Sequence, residues 1–123
     1  MNLDVGALSR DPSVGRAYLA DPLVHNRMSA RTYRSMLRVR DDAFARARTL
    51  ASPTLLLCGT ADRIISVEAA QRWYEQLCVR KAFVLFPDCY HELHHEPVRP
   101  ELLRRIHQWM TQPDPSAFTS QAA

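Results

Sequence analysis

Two short apolar runs, separated by a helical pattern, constrain the fold of this chain more than any other feature. Thr54–Cys58 is bounded by Pro53 and Gly59, and Ala82–Phe86 is closed by Pro87. A continuous apolar run of this length is typical of a strand buried on both faces, as in a parallel sheet. Because the connection between the runs is long enough for a helical crossover, we expect two parallel strands in an α/β fold.

Helix signals lie on both sides of the predicted strands. Each helix begins after a residue that can cap its first turn, or close to a proline that fits there. The sequence predicts four helices. The first follows Asp11 and runs to Ala20, and the second follows Ser29 and runs to about Ala47. The third follows Ser66 and runs to about Cys78, and the fourth begins near Pro100. Pro113–Asp114–Pro115 ends the last helix, so we predict a disordered tail over 113–123.

Composition excludes several classes of protein. A chain of 123 residues with 46% apolar residues can form one domain with a core. No apolar run approaches the roughly 20 residues that span a bilayer, and the N-terminus does not resemble a secretory signal. The three cysteines, Cys58, Cys78 and Cys89, do not form a disulfide pattern. We therefore expect a reducing, cytoplasmic location.

A basic segment precedes the first predicted strand. Seven arginines lie between Arg27 and Arg48, opposed by Asp41 and Asp42. A basic helix can bind nucleic acid or an anionic membrane surface. The segment carries no interleaved aromatic platform and no recognised nucleic-acid motif, so we interpret it as a solvated helix face and expect no nucleic-acid partner. Peripheral contact of this segment with a membrane is compatible with the sequence.

The polar residues that follow the two strands predict a catalytic pair. Asp62 lies just after the first strand, and His91 lies just after the second. Neighbouring strands of a sheet lie about 5 Å apart, so residues just beyond their ends can meet. A carboxylate on one imidazole nitrogen fixes the tautomer and leaves the other nitrogen free to accept a proton. Each residue alone is more simply a turn or loop residue.

Three segments together resemble a known family. They are Asp21–Pro22–Leu23–Val24–His25, Gly59–Thr60–Ala61–Asp62–Arg63 and Tyr90–His91–Glu92–Leu93–His94–His95–Glu96. They are similar to the C-terminal part of monoacylglycerol lipase-like α/β-hydrolases, which include lysophospholipases and serine aminopeptidases. The resemblance covers about residues 5–112, and it implies that Asp62 is the triad acid and His91 the triad base.

The resemblance also implies how the chain is divided. Residues 1–50 would be a remnant of the helical cap with a connecting helix, and residues 51–112 would be the C-terminal βαβα part of the hydrolase core. The segment that begins at Asp21 resembles the exit of the cap. The order acid then histidine agrees with the α/β-hydrolase order of serine, acid and histidine.

The family's nucleophile has no counterpart in this chain. Its glycines are Gly6, Gly15 and Gly59, so a Gly-x-Ser-x-Gly nucleophile elbow cannot be present. Ser52 and Ser66 lie before a proline and at a helix cap, and we assign no nucleophile. We expect the chain to be the C-terminal fragment of a longer hydrolase, with the serine and the oxyanion donors upstream of Met1.

A second motif overlaps the first. His91–Glu92–x–x–His95 matches the H-E-x-x-H signature of zinc metalloproteases, which requires both histidines on one helical face. Pro87 and Pro97 flank the segment and prevent a long helix, so we rank a zinc hydrolase below the triad. Cys89 lies close to His91 in sequence, but no nearby residue would lower its thiol pKa, and we interpret it as a bystander.

The sequence therefore predicts hydrolysis of carboxylic esters by the complete enzyme, with monoacylglycerol- or lysophospholipid-like substrates. It implies no cofactor and no metal. The isolated chain should be inactive, and the open edge of its sheet should favour self-association. The alternative is a non-catalytic folded remnant or a partner-binding piece.

Overall fold

The structure of the protein is a computed structural model, and it describes residues 2–112. Its elements are α1 (Pro12–Ala20), α2 (Ala30–Arg46), β1 (Thr54–Gly59), α3 (Val67–Gln76), β2 (Lys81–Phe86) and α4 (Arg99–Thr111). Short 3-10 turns occupy Val5–Ala7, Ala47–Thr49 and Leu93–His95. The predicted order of elements is confirmed, and the tail predicted over 113–123 lies outside the described residues. None of the described helices has the length and apolar character needed to cross a membrane.

Three helices begin at the caps that the sequence predicted. The side chain of Asp11 accepts a hydrogen bond from the Ser13 N–H at 2.8 Å, and Ser29 Oγ accepts one from the Thr32 N–H at 3.0 Å. Ser66 Oγ accepts one from Ala69 N–H at 3.1 Å. Each cap satisfies an N–H group that the first helical turn leaves without a partner. Local side-chain chemistry therefore sets where these helices start.

The two strands form a parallel pair, as predicted. The register runs from Thr54 opposite Lys81 to Gly59 opposite Phe86, so both strands end at the same edge of the sheet. The expectation that β1 is buried on both faces is wrong for the described residues, because Thr54–Cys58 is only half-buried. Within residues 2–112, β1 has a neighbouring strand on one side.

The core lies beneath the edge where the strands end. Phe86, Cys89, Leu93 and Leu102 form one buried cluster, and Ile106 of α4 packs against it. The loop after β2 therefore contributes two core residues of its own. This anchoring holds the loop against α4 and restricts where its polar side chains can lie.

Helix α2 is anchored mainly at its C-terminal end. Ala47, just beyond the helix, is 1% exposed, and the Trp73 indole N–H donates to the Ala43 carbonyl at 3.1 Å. Tyr33 and Met36, which share the helix's apolar stripe, are 40% and 52% exposed. The helix predicted after Ser29 is present, and these two apolar side chains in its first half are exposed in the described part of the chain.

Candidate active site

The acidic residue of the predicted pair is held by the turn after β1. Asp62 Oδ1 accepts hydrogen bonds from the backbone N–H groups of Ile64 at 2.7 Å and Ile65 at 3.0 Å. The Asp62 N–H itself donates to the Gly59 carbonyl at 3.2 Å. These contacts fix the carboxylate relative to the strand and leave Oδ2 for another partner.

The loop after β2 is joined to this turn by backbone hydrogen bonds. The Ala61 N–H donates to the Cys89 carbonyl at 3.0 Å, and the Asp88 N–H donates to Thr60 Oγ1 at 2.8 Å. Asp88 has a φ of 56°, in the left-handed region that aspartate tolerates better than most residues. The reversal at Asp88 returns the chain towards β1, so the two loops lie side by side.

Asp62 and His91 meet at the end of the sheet. His91 Nδ1 lies 2.9 Å from Asp62 Oδ2, which confirms the predicted contact. The Asp62 side chain is 7% exposed, whereas the His91 side chain is 35% exposed. The carboxylate is thus buried behind an imidazole that reaches the surface.

The electrostatics of the pair favour one tautomer of His91. Burial raises the pKa of the Asp62 carboxyl, but the two backbone N–H donors and the imidazole outweigh burial, so the pKa lies below its usual range. The carboxylate is therefore ionised at neutral pH and accepts the proton carried by Nδ1. Nε2 is then the nitrogen that can accept a proton from a nucleophile.

Cys89 does not share the properties of an activated nucleophile. Its side chain is 0% exposed, and burial raises the pKa of its thiol. A raised pKa keeps the sulfur protonated, whereas a nucleophilic cysteine needs the thiolate. Cys89 lies in the core beneath the loop, in agreement with its interpretation as a bystander.

The geometry that the zinc motif requires is not formed in this loop. Leu93–His95 is a 3-10 turn, and the ring of His91 faces Asp62. Within the described residues, the group of possible metal ligands that lies close together consists of Glu92, His94 and His95, without His91. His95 Nε2 lies 3.7 Å from Glu92 Oε2. The motif therefore does not place its two histidines on one helical face.

Sequence reasoning missed a second buried carboxylate, which lies in the loop that carries His91. Glu96 is buried and forms an ion pair with Arg10, whose Nε lies 2.7 Å from Glu96 Oε2. Glu96 is the last residue of the segment Tyr90–Glu96 that resembles the family, but its partner lies 86 positions away in sequence. A local pattern cannot pair residues so far apart, and only burial in the structure distinguishes Glu96 from Glu92.

Comparison with known proteins identifies the family. A family model described as serine aminopeptidase, S33, matches residues 1–98, which include both Asp62 and His91. The chain belongs to the S33 family. The predicted resemblance to this group of α/β-hydrolases is thereby confirmed, and the parallel strands with flanking helices are a partial α/β-hydrolase fold.

Two similar proteins and one similar solved structure carry lipase names. A monoacylglycerol lipase of Mycolicibacterium smegmatis is 32% identical over 111 residues, which cover 89% of this chain and 40% of that protein. A putative monoglyceride lipase of Schizosaccharomyces pombe is 27% identical, over 84% of this chain and 28% of that protein. The crystal structure of Paleococcus ferrophilus monoacylglycerol lipase matches with a TM-score of 0.76 and 35% identity, over 89% of this chain and 44% of that one. This S33-family chain therefore spans less than half the length of these relatives.

Proposed function

We propose that Asp62 and His91 are the acid and the base of a serine-hydrolase triad. The observation that carries this proposal is the 2.9 Å contact between His91 Nδ1 and Asp62 Oδ2 at the ends of two adjacent parallel strands. In the proposed reaction, His91 Nε2 accepts the proton of a serine hydroxyl as the serine attacks an ester carbonyl, and then donates that proton to the leaving alcohol. Asp62 orients the imidazole and stabilises the imidazolium that forms.

The serine and the oxyanion donors are proposed to come from residues outside this sequence. The family reaction needs a nucleophile elbow and two backbone N–H donors near it, and no Gly-x-Ser-x-Gly is present in the 123 residues. We propose residues 1–50 as the cap remnant with its connecting helix, and residues 51–112 as the part of the catalytic core that carries the acid and the base.

The proposed substrates are esters of a fatty acid with a small alcohol, of the monoacylglycerol or lysophospholipid class. The names of two relatives and of the matching solved structure support monoacylglycerols within this class. An ester of this kind requires an acyl-binding surface, and exposed apolar side chains lie on α1, α2 and the segment between them. The most exposed of them are Leu19 at 63%, Leu23 at 91% and Val39 at 66%.

These exposed apolar side chains are proposed to contact membranes peripherally. Apolar side chains next to a basic helix are typical of a segment that lies in a membrane interface. Sedimentation with vesicles tests this proposal: Leu23→Ser should reduce binding to vesicles with anionic lipid, and the wild-type chain should bind neutral vesicles more weakly. Equal binding of wild-type and Leu23→Ser protein to anionic vesicles would exclude the contact.

The catalytic proposal is tested by activity in the presence and absence of an upstream elbow. The chain alone should hydrolyse neither a nitrophenyl ester nor a monoacylglycerol above buffer, and should not react with a fluorophosphonate probe. A longer protein that restores the upstream elbow, taken from the gene's own preceding sequence or from the Mycolicibacterium smegmatis lipase, should do both. Robust probe labelling of the chain alone would show a nucleophile within it and would overturn the proposal.

Variants of the longer protein test the two roles separately. Asp62→Asn should lower kcat by about 10⁴-fold because the imidazole loses its correct tautomer. His91→Ala should lower kcat by about 10⁶-fold. His94→Ala, three residues further along the same loop, is the matched control and should retain activity. Loss of activity in the control equal to that of His91→Ala would contradict the assignment of the base.

A further inference from the structure

Glu96 occupies a site that the proposed triad does not use. Its side chain is 0% exposed, and it accepts hydrogen bonds from the Arg10 backbone N–H at 2.8 Å, from Arg10 Nε at 2.7 Å and from the Tyr90 N–H at 3.4 Å. Burial raises the pKa of the Glu96 carboxyl, but these donors outweigh burial and hold the pKa below its usual range. A buried carboxylate with three donors stays ionised, and each donor depends on it.

The segment around Arg10 follows the loop that carries His91. The Glu92 N–H donates to the Leu8 carbonyl at 2.7 Å, and Ser9 Oγ donates to the His95 carbonyl at 3.0 Å. Arg10 Nη2 also lies 3.6 Å from the sulfur of Cys89. These bonds join residues 8–10 to both ends of the loop 89–96, and the Arg10–Glu96 pair is the charged contact among them.

Glu96 also closes the loop on itself. The Tyr90 N–H that points to Glu96 Oε1 belongs to the residue directly before His91, and Glu96 is the last residue before the segment that enters α4. The carboxylate thus connects the residue next to His91 with the far end of the loop. An amide at this position keeps the volume but loses the charge that pairs with Arg10, and one of its two heavy atoms no longer accepts hydrogen bonds.

We propose that Glu96, paired with Arg10, is a positioning residue that orients His91 towards Asp62. This inference rests on the proposed function, because it assigns Glu96 a role through the catalytic base. Glu96 acts by fixing the backbone that carries the imidazole, through its bond from the Tyr90 N–H. Its loss should therefore weaken the contact between Nδ1 and the Asp62 carboxylate while the fold persists.

The tautomer of His91 is the measurement that tests this role. Proton–nitrogen correlation spectra of the chain, recorded at about pH 9 where imidazoles are neutral, report which ring nitrogen carries the proton. The wild-type ring should carry it on Nδ1, facing Asp62. In Glu96→Gln the ratio of the Nδ1–H to the Nε2–H form should fall by about tenfold. The hydrogen bond from Nδ1 to Asp62 favours the Nδ1–H form, and that bond is weaker when the ring is held less firmly.

Two controls separate positioning from a general loss of stability. Glu101→Gln removes a surface carboxylate on α4 that pairs with Arg104 and Arg105, and it should leave the tautomer ratio unchanged. Leu55→Ala removes packing around Trp109, in the second buried cluster of the core. It should lower the stability of the fold and leave the tautomer ratio unchanged. If Glu96→Gln does not fold, Glu96→Asp is measured in its place, because it keeps the charge but has a shorter side chain, which should not reach both Arg10 and the Tyr90 N–H.

The outcomes distinguish this inference from the proposed function. A Glu96→Gln protein (or, where that variant does not fold, a Glu96→Asp protein) that folds and keeps the wild-type tautomer ratio would overturn the positioning role, as would a Leu55→Ala protein that shows the same change. Asp62→Asn should by itself shift the ratio in the wild-type background. If the ratio depends on Asp62 but not on Glu96, the inference fails and the proposed pair stands. If the ratio is independent of Asp62, the pair does not form in solution and both fail.

Discussion

Gly59 approaches the backbone of Cys89 so closely that a Cβ at residue 59 would lie 2.2 Å from the Cys89 carbonyl oxygen. The same Cβ would lie 2.6 Å from the carbonyl oxygen of Tyr90. Because these neighbours are backbone atoms, they cannot rotate away as a side chain could. The last residue of β1 must therefore be glycine for the loop that carries His91 to lie against the turn that carries Asp62.

We predict that Gly59→Ala lowers the free energy of unfolding by about 1–3 kcal/mol or more, since overpacking at this contact must displace backbone. Urea denaturation of the wild-type and variant chains measures the change. Gly6→Ala is the matched control, because its Cβ would meet only a side-chain oxygen of Asp4 at 3.3 Å. Equal stability of Gly59→Ala and wild-type protein would show that the two loops do not pack as described.

Acid should destabilise the fold through Asp62 and Glu96. Both carboxyls have a pKa in the folded chain below that of an unfolded one, which is about 4. The unfolded state therefore binds more protons in this range, and the free energy of unfolding should fall as the pH falls from about 5 towards 2. Thermal or urea unfolding across this range measures the slope.

Removal of either carboxylate should flatten this dependence. Asp62→Asn and Glu96→Gln proteins should each lose less stability between neutral and acid pH than the wild-type protein loses, because one of the titrating groups is gone. A wild-type chain that is equally stable at pH 6 and pH 3 would contradict the described contacts of both carboxylates.

Metal should not be required for folding. The H-E-x-x-H residues are not arranged on a helix, and His91 Nδ1 is engaged by Asp62. We expect purified protein to carry no stoichiometric zinc. A chelator should leave its unfolding midpoint unchanged, whereas it would destabilise a protein whose fold depends on a zinc ion. One tightly held zinc per chain that is lost in His95→Ala would instead favour the zinc-hydrolase hypothesis.

The isolated chain should self-associate through the outer side of β1. The Thr54 and Thr60 N–H groups both donate towards the β2 side, so the N–H groups of alternate residues such as Leu55 and Leu57 face the opposite edge. An open strand edge flanked by apolar side chains is a template for pairing with another chain. Sedimentation velocity over a range of micromolar concentrations should show a concentration-dependent increase in mass. A monomer with sharply cooperative unfolding throughout that range would contradict this prediction and the fragment interpretation.

Much of the secondary structure followed from local patterns in the sequence. Asp11, Ser29 and Ser66 cap their helices because a short polar side chain satisfies N–H groups within its own first turn. The two strands followed from apolar runs bounded by Pro53, Gly59 and Pro87. Such signals involve neighbours in sequence, so these elements can be predicted without knowledge of the tertiary structure.

The candidate pair was predictable for a less local reason. Parallel strands end at the same edge, and that rule places Asp62 and His91 near each other without fixing their distance. The contact of 2.9 Å depends on the register of β1 with β2, on the close approach at Gly59 and on the backbone donors to Asp62. The role of each residue in catalysis stays a prediction.

Other features arise only when the chain is folded. Arg10 and Glu96 are 86 positions apart, and no periodicity relates them. Their pairing, like the burial of Cys89 and the exposure of Met36, depends on which surfaces pack together in three dimensions. Helix caps and strand runs depend on interactions within a short segment of the chain. Burial and charge pairing depend on the whole packed structure, and it is this burial and pairing that decide how firmly His91 is held.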